Sequence, residues 1–284
     1  MDVSLQYIGA NGGILDLMNN PYFYLMQADG LTEVDADISA STTPGMDGNR
    51  VNSVRAQPRG IVLDLKIKNA ANVEEAKRYI LRTIKPKQTG RLILKQDGRE
   101  LEIAGVVESV SMPRFNHGVM MQISLHCSMS YWQDVDSVLL AISRIIDLHY
   151  FPQDIGGLAF PVEGIVMGEY DLNMTRTYTN DGDAECGMVI TIIALGNVKN
   201  PTIYKADGSF IGVNDSMVAG DEIVINTNRG EKRITKNGAN ILNKIKPGSV
   251  FIQLDTGDNE LTIGSDGDTA GNVYFVLSFK RRFV

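Results

Sequence analysis

The residues that could support catalysis are few, and they lack the spacing of known catalytic motifs. His117, His126 and His149 are the three histidines, and none stands in an HExxH or HxH arrangement that would hold zinc. The sequence has no GxSxG nucleophile elbow and no GxxxxGK[ST] phosphate loop. Cys127 and Cys186 fit neither a disulfide scaffold nor a zinc pattern, and we interpret them as buried thiols. The sequence therefore predicts a protein that is not an enzyme and that needs no cofactor.

Two groups of carboxylates are the remaining candidates for a metal site. The segments Asp181-Gly-Asp183-Ala-Glu185 and Asp266-Gly-Asp268 offer the oxygen ligands that calcium prefers. Neither segment completes the twelve-residue loop of an EF-hand, and Asp-Gly pairs are also what simple turns require. We therefore predict no metal site. Glycoside hydrolysis by paired carboxylates would need a spatial separation and a raised pKa that a sequence does not reveal.

Aromatic side chains offer a different chemistry, the binding of a sugar. A flat ring can pack against the C–H face of a pyranose while nearby polar groups orient it. Tyr170, Tyr178 and Tyr204 are the candidates for such a platform in the second half of the chain. Packing in the core or at its rim is the alternative interpretation for each of these tyrosines.

The elements that would position these residues are mainly β-strands, because apolar residues recur at every second position. Ile61, Leu63, Leu65 and Ile67 alternate with residues on the opposite face, which is typical of a half-buried strand. Turn sequences such as Asp97-Gly98, Asp207-Gly208 and Asn237-Gly238 predict tight hairpins. Strands are predicted at Ile61–Ile67, Leu92–Leu94, Leu101–Ile103, Val119–Cys127, Ile223–Ile225, Val250–Leu254 and Val273–Phe279.

One helix is predicted over residues 73–84. Asn72 could cap its first turn, Glu75 stands at the capping-box position, and Pro86 ends the helix. A second segment, Val135–Ile146, has apolar residues at helical spacing, but its β-branched content leaves a strand equally open.

Composition divides the chain into two predicted domains. Residues 1–134 form an α+β first domain, residues 135–160 a connector, and residues 161–284 a second domain made of strands. The stretch 37–59 is polar, contains the turn sequence PGMDG, and is too long for an ordinary loop. It is either a disordered flap or an extended hairpin arm that finds its partner on another subunit.

Charge and hydropathy exclude several functional classes. The 284 residues carry a net charge of −7, and the second half, from residue 135, holds 13 basic against 19 acidic residues. Such a balance disfavours a sequence-specific nucleic-acid surface, which depends on clustered lysine and arginine. No apolar stretch is long enough for a membrane helix, and the first residues lack the pattern of a secretory signal. We therefore expect synthesis in a cytoplasm and no membrane insertion.

The order of these segments resembles the distal tail proteins of long, non-contractile-tailed bacteriophages and related prophages. The resemblance begins with short strands around Ile8 and Ile14, the arm with PGMDG, and the R-x-I-x-L-x-L run of residues 59–65. It continues through the helix at 73–84 and through the segments RLILKQDGRELEIAGVVESV and ISLHCSMSYWQD. In the second half it covers NPTIYKADG, DEIVINTNRG and VFIQLDTGDNELTI. These patterns span nearly the whole chain.

The resemblance implies a structural protein of the virion tail tip. Six copies would form a ring that joins the tail tube protein to baseplate, tail-tip or receptor-binding proteins, and the second domain would be a galectin-like β-sandwich. The arm would then add strands to a neighbouring copy, with Met46, Arg50, Val51 and Arg55 at the subunit interface. The alternative function is a carbohydrate-binding module or adhesin that recognises cell-surface glycans through the second domain.

Overall fold

The chain forms two compact units in the computed structural model, which describes residues 3–45, 47–69, 72–96, 98–112, 119–141, 144–147, 168–171, 175–267 and 272–284. The first unit consists of Met1–Asp136 together with Arg282–Val284, and the second of Ser137–Arg281. Most of the predicted connector, His149 and Asp268 lie outside the described residues. The chain therefore leaves the first unit after Asp136, forms the second unit, and returns to the first unit at Arg282.

The described residues contain one α-helix and a series of short strands. In the first half these elements are β1 Ser4–Ile8, β2 Ile14–Asp16, β3 Phe23–Asp29, β4 Ala36–Ser41, β5 Arg50–Ala56, β6 Arg59–Ile67, α1 Val73–Thr83, β7 Thr89–Gln96, β8 Arg99–Ser111, β9 Met120–Cys127 and β10 Trp132–Asp134. In the second half they are β11 Val138–Ala141, β12 Arg144–Asp147, β13 Gly168–Asp171, β14 Thr175–Asn180, β15 Met188–Ala194, β16 Val198–Lys199, β17 Thr202–Lys205, β18 Phe210–Gly212, β19 Ser216–Met217, β20 Glu222–Asn226, β21 Arg233–Lys236, β22 Ala239–Asn240, a 3₁₀ helix Leu242–Lys244, β23 Gly257–Gly264, β24 Val273–Phe279 and β25 Arg282–Phe283. The prediction of a mainly β fold with one helix is confirmed.

An antiparallel sheet with the strand order β2-β1-β7-β8-β9-β6-β3 forms the body of the first unit. Alternate side chains of β6, among them Ile61, Leu63 and Leu65, are fully buried on one face of this sheet, as their spacing predicted. Helix α1 packs on the same core through Ala76 and Ile80. β10 pairs with β8, and β25 pairs with β10, so the last residues of the chain complete this unit.

The capping of α1 differs from the prediction. The side chain of Asn72 makes no capping hydrogen bond, and its backbone N–H donates to the carbonyl of Asn69 at 3.2 Å. The Glu75 carboxylate accepts a hydrogen bond from the Tyr22 hydroxyl at 3.3 Å. The predicted capping box is therefore wrong, because both of its groups have other partners.

The second unit is a β-sandwich. One sheet has the order β11-β24-β15-β20-β21-β22 and the other the order β14-β23-β17-β18. Their inward side chains share one apolar core, which includes Ile190 and Phe275 from the first sheet and Ile203 and Leu261 from the second. β24 pairs with β15 and β11 inside this unit, so the predicted strand Val273–Phe279 belongs to the sandwich.

For one segment the structure selects between two predicted forms, and for another it contradicts the prediction. The segment Val135–Ile146, for which helix and strand were both open, contains the strands β11 and β12, and β11 is paired with β24. The predicted strand Val250–Leu254 is wrong, because its one ladder contact is an isolated bridge between Leu254 and Cys186.

The tight turn at Asn237-Gly238 is confirmed, with φ angles of 49° and 81° between β21 and β22. Within the described part of the chain, no helix has the length and apolarity to cross a membrane.

Candidate assembly interface

A hairpin formed by β4 and β5 is the most exposed element of the first unit. The two strands pair in antiparallel register from Ala36 opposite Ala56 to Ser41 opposite Arg50. Among the described residues, each strand pairs only with the other. The polar stretch before Gly60 therefore contains a hairpin, and its pairing with another subunit stays a prediction.

A β-bulge gives this hairpin one apolar face. The register shifts so that Ser39 lies opposite Ser53 and Ala40 opposite Val51, which makes Asn52 the extra residue. Because paired residues point to the same side of a sheet, the shift aligns Val51 with the pair Ile38–Val54. Ile38, Val51 and Val54 are 58%, 54% and 61% exposed. Water therefore covers an apolar surface that a folded protein ordinarily buries.

The opposite face of the hairpin is polar, and its side chains make only weak contacts between the two strands. Arg55 donates from Nε to Asp37 Oδ2 at 2.8 Å, and its Nη2 lies 2.6 Å from the same oxygen. The Arg55 side chain is 80% exposed, so this ion pair contributes at most about 1 kcal/mol to stability. The hydroxyl of Ser41 lies 3.3 Å from Asn52 Oδ1. This face holds the two strands together without covering their edges.

The root of the hairpin, in contrast, is fixed by a buried arginine. The guanidinium of Arg59 donates from Nε to the carbonyl of Ser130 at 2.9 Å and from Nη1 to those of Gly30 (3.1 Å) and Leu31. Burial lowers the pKa of Arg59, whose guanidinium donates to these three carbonyls. The Trp132 indole N–H also donates to Leu31 O at 2.8 Å. The hairpin therefore starts from a rigid base.

Three of the four residues predicted for a subunit interface lie on this hairpin. Arg50, Val51 and Arg55 are all exposed residues of β5, whereas Met46 lies outside the described residues. Val51 is on the apolar face, and Arg50 and Arg55 are on the polar face. The sequence reasoning did not select Ile38 and Val54, which lie on the same apolar face and are more exposed than Val51. Period-two alternation within β4 was the signal that could have identified Ile38, whereas in β5 the bulge interrupts the alternation between Val51 and Val54.

Two of the three tyrosines proposed for a sugar platform, Tyr178 and Tyr204, lie on opposite faces of one sheet. Tyr178 lies on the core face of the sheet β14-β23-β17-β18 and is 4% exposed, while Tyr204 lies on the outer face and is 38% exposed. Tyr170 belongs to β13, whose side chains lie outside the described part. Tyr178 and Tyr204 therefore cannot share one platform. Phe210, which the sequence reasoning missed, is the residue paired directly with Tyr204.

A cleft of about 480 Å³ lies beside Tyr178 in the second unit. Its lining includes Leu140, Phe279 and an ion pair in which Arg281 Nη1 contacts both carboxylate oxygens of Asp181, at 2.8 and 3.0 Å. Burial raises the pKa of Tyr178 to about 12. Among the described residues there is no group of three or more His, Cys, Asp or Glu side chains that could hold a metal ion.

Comparison with known proteins gives a family match in the second unit and a match of fold over both units. Residues 181–283 match the family model of the siphovirus-type tail component, C-terminal domain. No curated protein sequence matches the chain. The fold resembles the crystal structure of the Dit protein (gp 19.1) of phage SPP1, with a TM-score of 0.68 and 13% sequence identity, over 100% of both chains. That protein is described as a paradigm of the hub adsorption apparatus in phages that infect Gram-positive bacteria.

Two further structures have a similar fold and the same 13% sequence identity to this chain. They show the baseplate of phage P2 in its activated conformation with Ca and with Sr, with TM-scores of 0.52 and 0.50. Each is 13% identical to this chain and is matched over 100% of both chains. At this identity the match shows a common fold. The resemblance to the distal tail family is thereby confirmed, by fold along the whole chain and by sequence pattern in most of the second unit.

Proposed function

We propose that this chain is a structural protein of a phage tail, and that six copies form the ring that joins the tail tube to the baseplate or tail-tip proteins. The observation that carries the proposal is the match of fold over the full length of the SPP1 protein, whose structure represents a hub. The match includes both units, so it covers the proposed ring-forming part and the galectin-like sandwich together.

The exposed hairpin supplies a surface for self-association. Ile38, Val51 and Val54 are each slightly more than half exposed. Burying them against a neighbouring copy would contribute about 1 kcal/mol per side chain, because full burial of such a residue is worth roughly twice that amount. An isolated two-stranded hairpin is only marginally stable in water, so a partner surface would also stabilise the hairpin itself.

The strand edges of the hairpin suggest how a neighbour would bind. Each strand has one edge without a strand partner among the described residues, and such edges can add a strand from another chain. A head-to-tail contact repeated by rotation closes a ring and leaves no edge unpaired. Arg50 and Arg55, on the polar face, would border this contact, together with Met46, which lies between β4 and β5 in the sequence.

The net charge of −7 is compatible with a ring through which DNA passes. An acidic channel repels phosphates, whereas a basic channel would bind them and retain the DNA. We therefore expect no strong, salt-sensitive affinity for double-stranded DNA, and the role is non-catalytic. The partners would be the tail tube protein and the baseplate, tail-tip or receptor-binding proteins, and the site of action the virion tail tip after synthesis in the host cytoplasm.

Deletion of residues 40–56 tests this function. The deletion removes most of the hairpin but leaves the buried root around Arg59, so the subunit should still fold. We expect phages that supply only the shortened protein to produce no complete tails, while circular dichroism of the purified protein shows an intact sheet signal. Normal tails assembled from the shortened protein would contradict the proposed role of the hairpin.

A further inference from the structure

A row of aromatic and hydroxyl side chains crosses the outer face of the sheet β14-β23-β17-β18. Tyr204 of β17 is paired with Phe210 of β18 on one side and with Thr262 of β23 on the other. Thr262 is paired in turn with Thr175, and their hydroxyls lie 2.9 Å apart. The residues on either side of this row along the strands, such as Ile203, are buried in the core, so the row itself points outward.

The rings of Tyr204 and Phe210 form a shallow aromatic strip, with Gly264 beside the first ring and Gly248 beside the second. The ring centroids of Tyr204 and Phe210 are 5.7 Å apart, with a tilt of 41°. A Cβ atom on Gly264 would come within 3.0 Å of Tyr204 Cε2, and a Cβ atom on Gly248 within 3.5 Å of Phe210 Cζ. The Tyr204 ring therefore leans over a position without a side chain, and 38% of the residue remains exposed to water.

One positive and one negative side chain, Lys246 and Glu260, lie near the strip. Lys246 Nζ lies 6.0 Å from the centroid of the Phe210 ring, on one side of the strip. Glu260 is exposed on the same face as Tyr204, two residues along β23 from Thr262. Cross-strand diagonal neighbours of this kind lie about 7–8 Å apart, within reach of a ligand bound on the ring. The strip therefore has hydrogen-bond donors and acceptors without a net charge that would attract a polyanion.

We propose that this strip binds a neutral saccharide, with a pyranose ring stacked on Tyr204. A sugar presents an apolar C–H face beside hydroxyls that both donate and accept, which matches an exposed ring bordered by an ammonium, a carboxylate and threonine hydroxyls. The proposal does not depend on the ring function of the first unit. It adds a glycan contact to the second unit, and the buried Tyr178 takes no part in it.

Binding of the full-length chain to a glycan array, followed by titration of the best neutral oligosaccharide in an NMR experiment, tests the proposal. We expect saturable binding in which the aromatic resonances of Tyr204 shift. The substitution Tyr204→Ala should weaken binding by about tenfold or more, because it removes the stacking surface. Tyr24→Ala is the matched control, since Tyr24 is 55% exposed on the first unit, and this variant should bind like the wild type.

A second variant separates the position of the ring from its chemistry. Gly264→Ala keeps every proposed ligand-binding side chain in the sequence but displaces the Tyr204 ring, because the new Cβ atom would lie 3.0 Å from Cε2. We expect weaker binding with an unchanged unfolding midpoint. Absence of saturable binding to any neutral glycan by the wild type, or equal binding by the Tyr204→Ala and Tyr24→Ala variants, would overturn the proposal.

Discussion

Arg59 is the residue on which the position of the hairpin depends most. Arg59 is 4% exposed, and its guanidinium donates to three carbonyls from two separate segments, residues 30–31 and Ser130. We expect Arg59→Met to lower the free energy of unfolding of the first unit by about 3 kcal/mol, because the buried carbonyls lose their donors. Urea unfolding followed by the fluorescence of Trp132, the single tryptophan of the chain, measures this change.

Arg55→Met is the control for that measurement. Arg55 is in the preceding strand, but its side chain is 80% exposed in its pair with Asp37. Its replacement should change the free energy of unfolding by less than about 1 kcal/mol. Equal losses in the two variants would contradict the role of Arg59 as a buried anchor.

At the same scale, the sequence identified some residues of the candidate sites and missed others. Tyr204 was selected because its type suits a sugar ring, and it is exposed. Phe210 was missed, although the Asp207-Gly208 turn places it directly opposite Tyr204, because the hairpin register has to be traced outward from the turn. The role of Arg59 could not be predicted, since its carbonyl partners come from segments far apart in the chain.

The hairpin β4–β5 yields the sharpest prediction at the scale of one element. Val54→Lys places a charge on the apolar face, whereas Ser53→Lys places the same charge on the polar face one residue away. We expect the first variant to abolish association of the chain and the second to leave it nearly unchanged, because only the first must desolvate a charge in the contact. Light scattering of both proteins under conditions in which the wild type associates provides the measurement.

Both variants should remain folded, since Ser53 and Val54 are both exposed. Loss of association in both variants to the same degree would show that the apolar face has no special part in the contact.

Strands were predicted correctly where the alternation of apolar side chains is complete. They were predicted poorly where the backbone hydrogen-bond partners determine the conformation. The strand β6 was predicted because four alternating apolar residues face one core. Val250–Leu254 has a similar pattern but is not a strand, because its backbone groups bond to scattered partners, such as Phe210 O for the N–H of Val250 at 2.8 Å. Strict alternation would also have put Val51 and Val54 on opposite faces, and only the bulge at Asn52 unites them.

At the scale of the whole molecule, the return of the chain to the first unit means that two nearby phenylalanines near the end of the sequence belong to different cores. Mutations at these positions should therefore affect different unfolding transitions. Phe283 is 4% exposed and packs in the first core, with Arg99 above its ring at 5.1 Å. Phe283→Ala should destabilise the first unit by about 3–5 kcal/mol and lower the midpoint of the Trp132 fluorescence transition. Phe279→Ala, a buried residue of the second core, should leave that transition nearly unchanged.

Equal shifts of the fluorescence midpoint in these two variants would contradict the division into two units, since each phenylalanine belongs to a separate core. The sequence alone did not reveal this arrangement. The last strand of the sandwich and the strand that completes the first unit are separated by two residues, and only their pairing with β15 and β10 distinguishes them.

Ring formation is the central claim, and electron microscopy of the chain mixed with its tail tube protein tests it most directly. Negative-stain images, combined with the particle mass in solution, should show rings of six copies with an open centre. The deletion of residues 40–56 should remove these rings from the same mixture. A chain that remains a monomer at the tube end, with the hairpin folded back on its own subunit, would contradict the account.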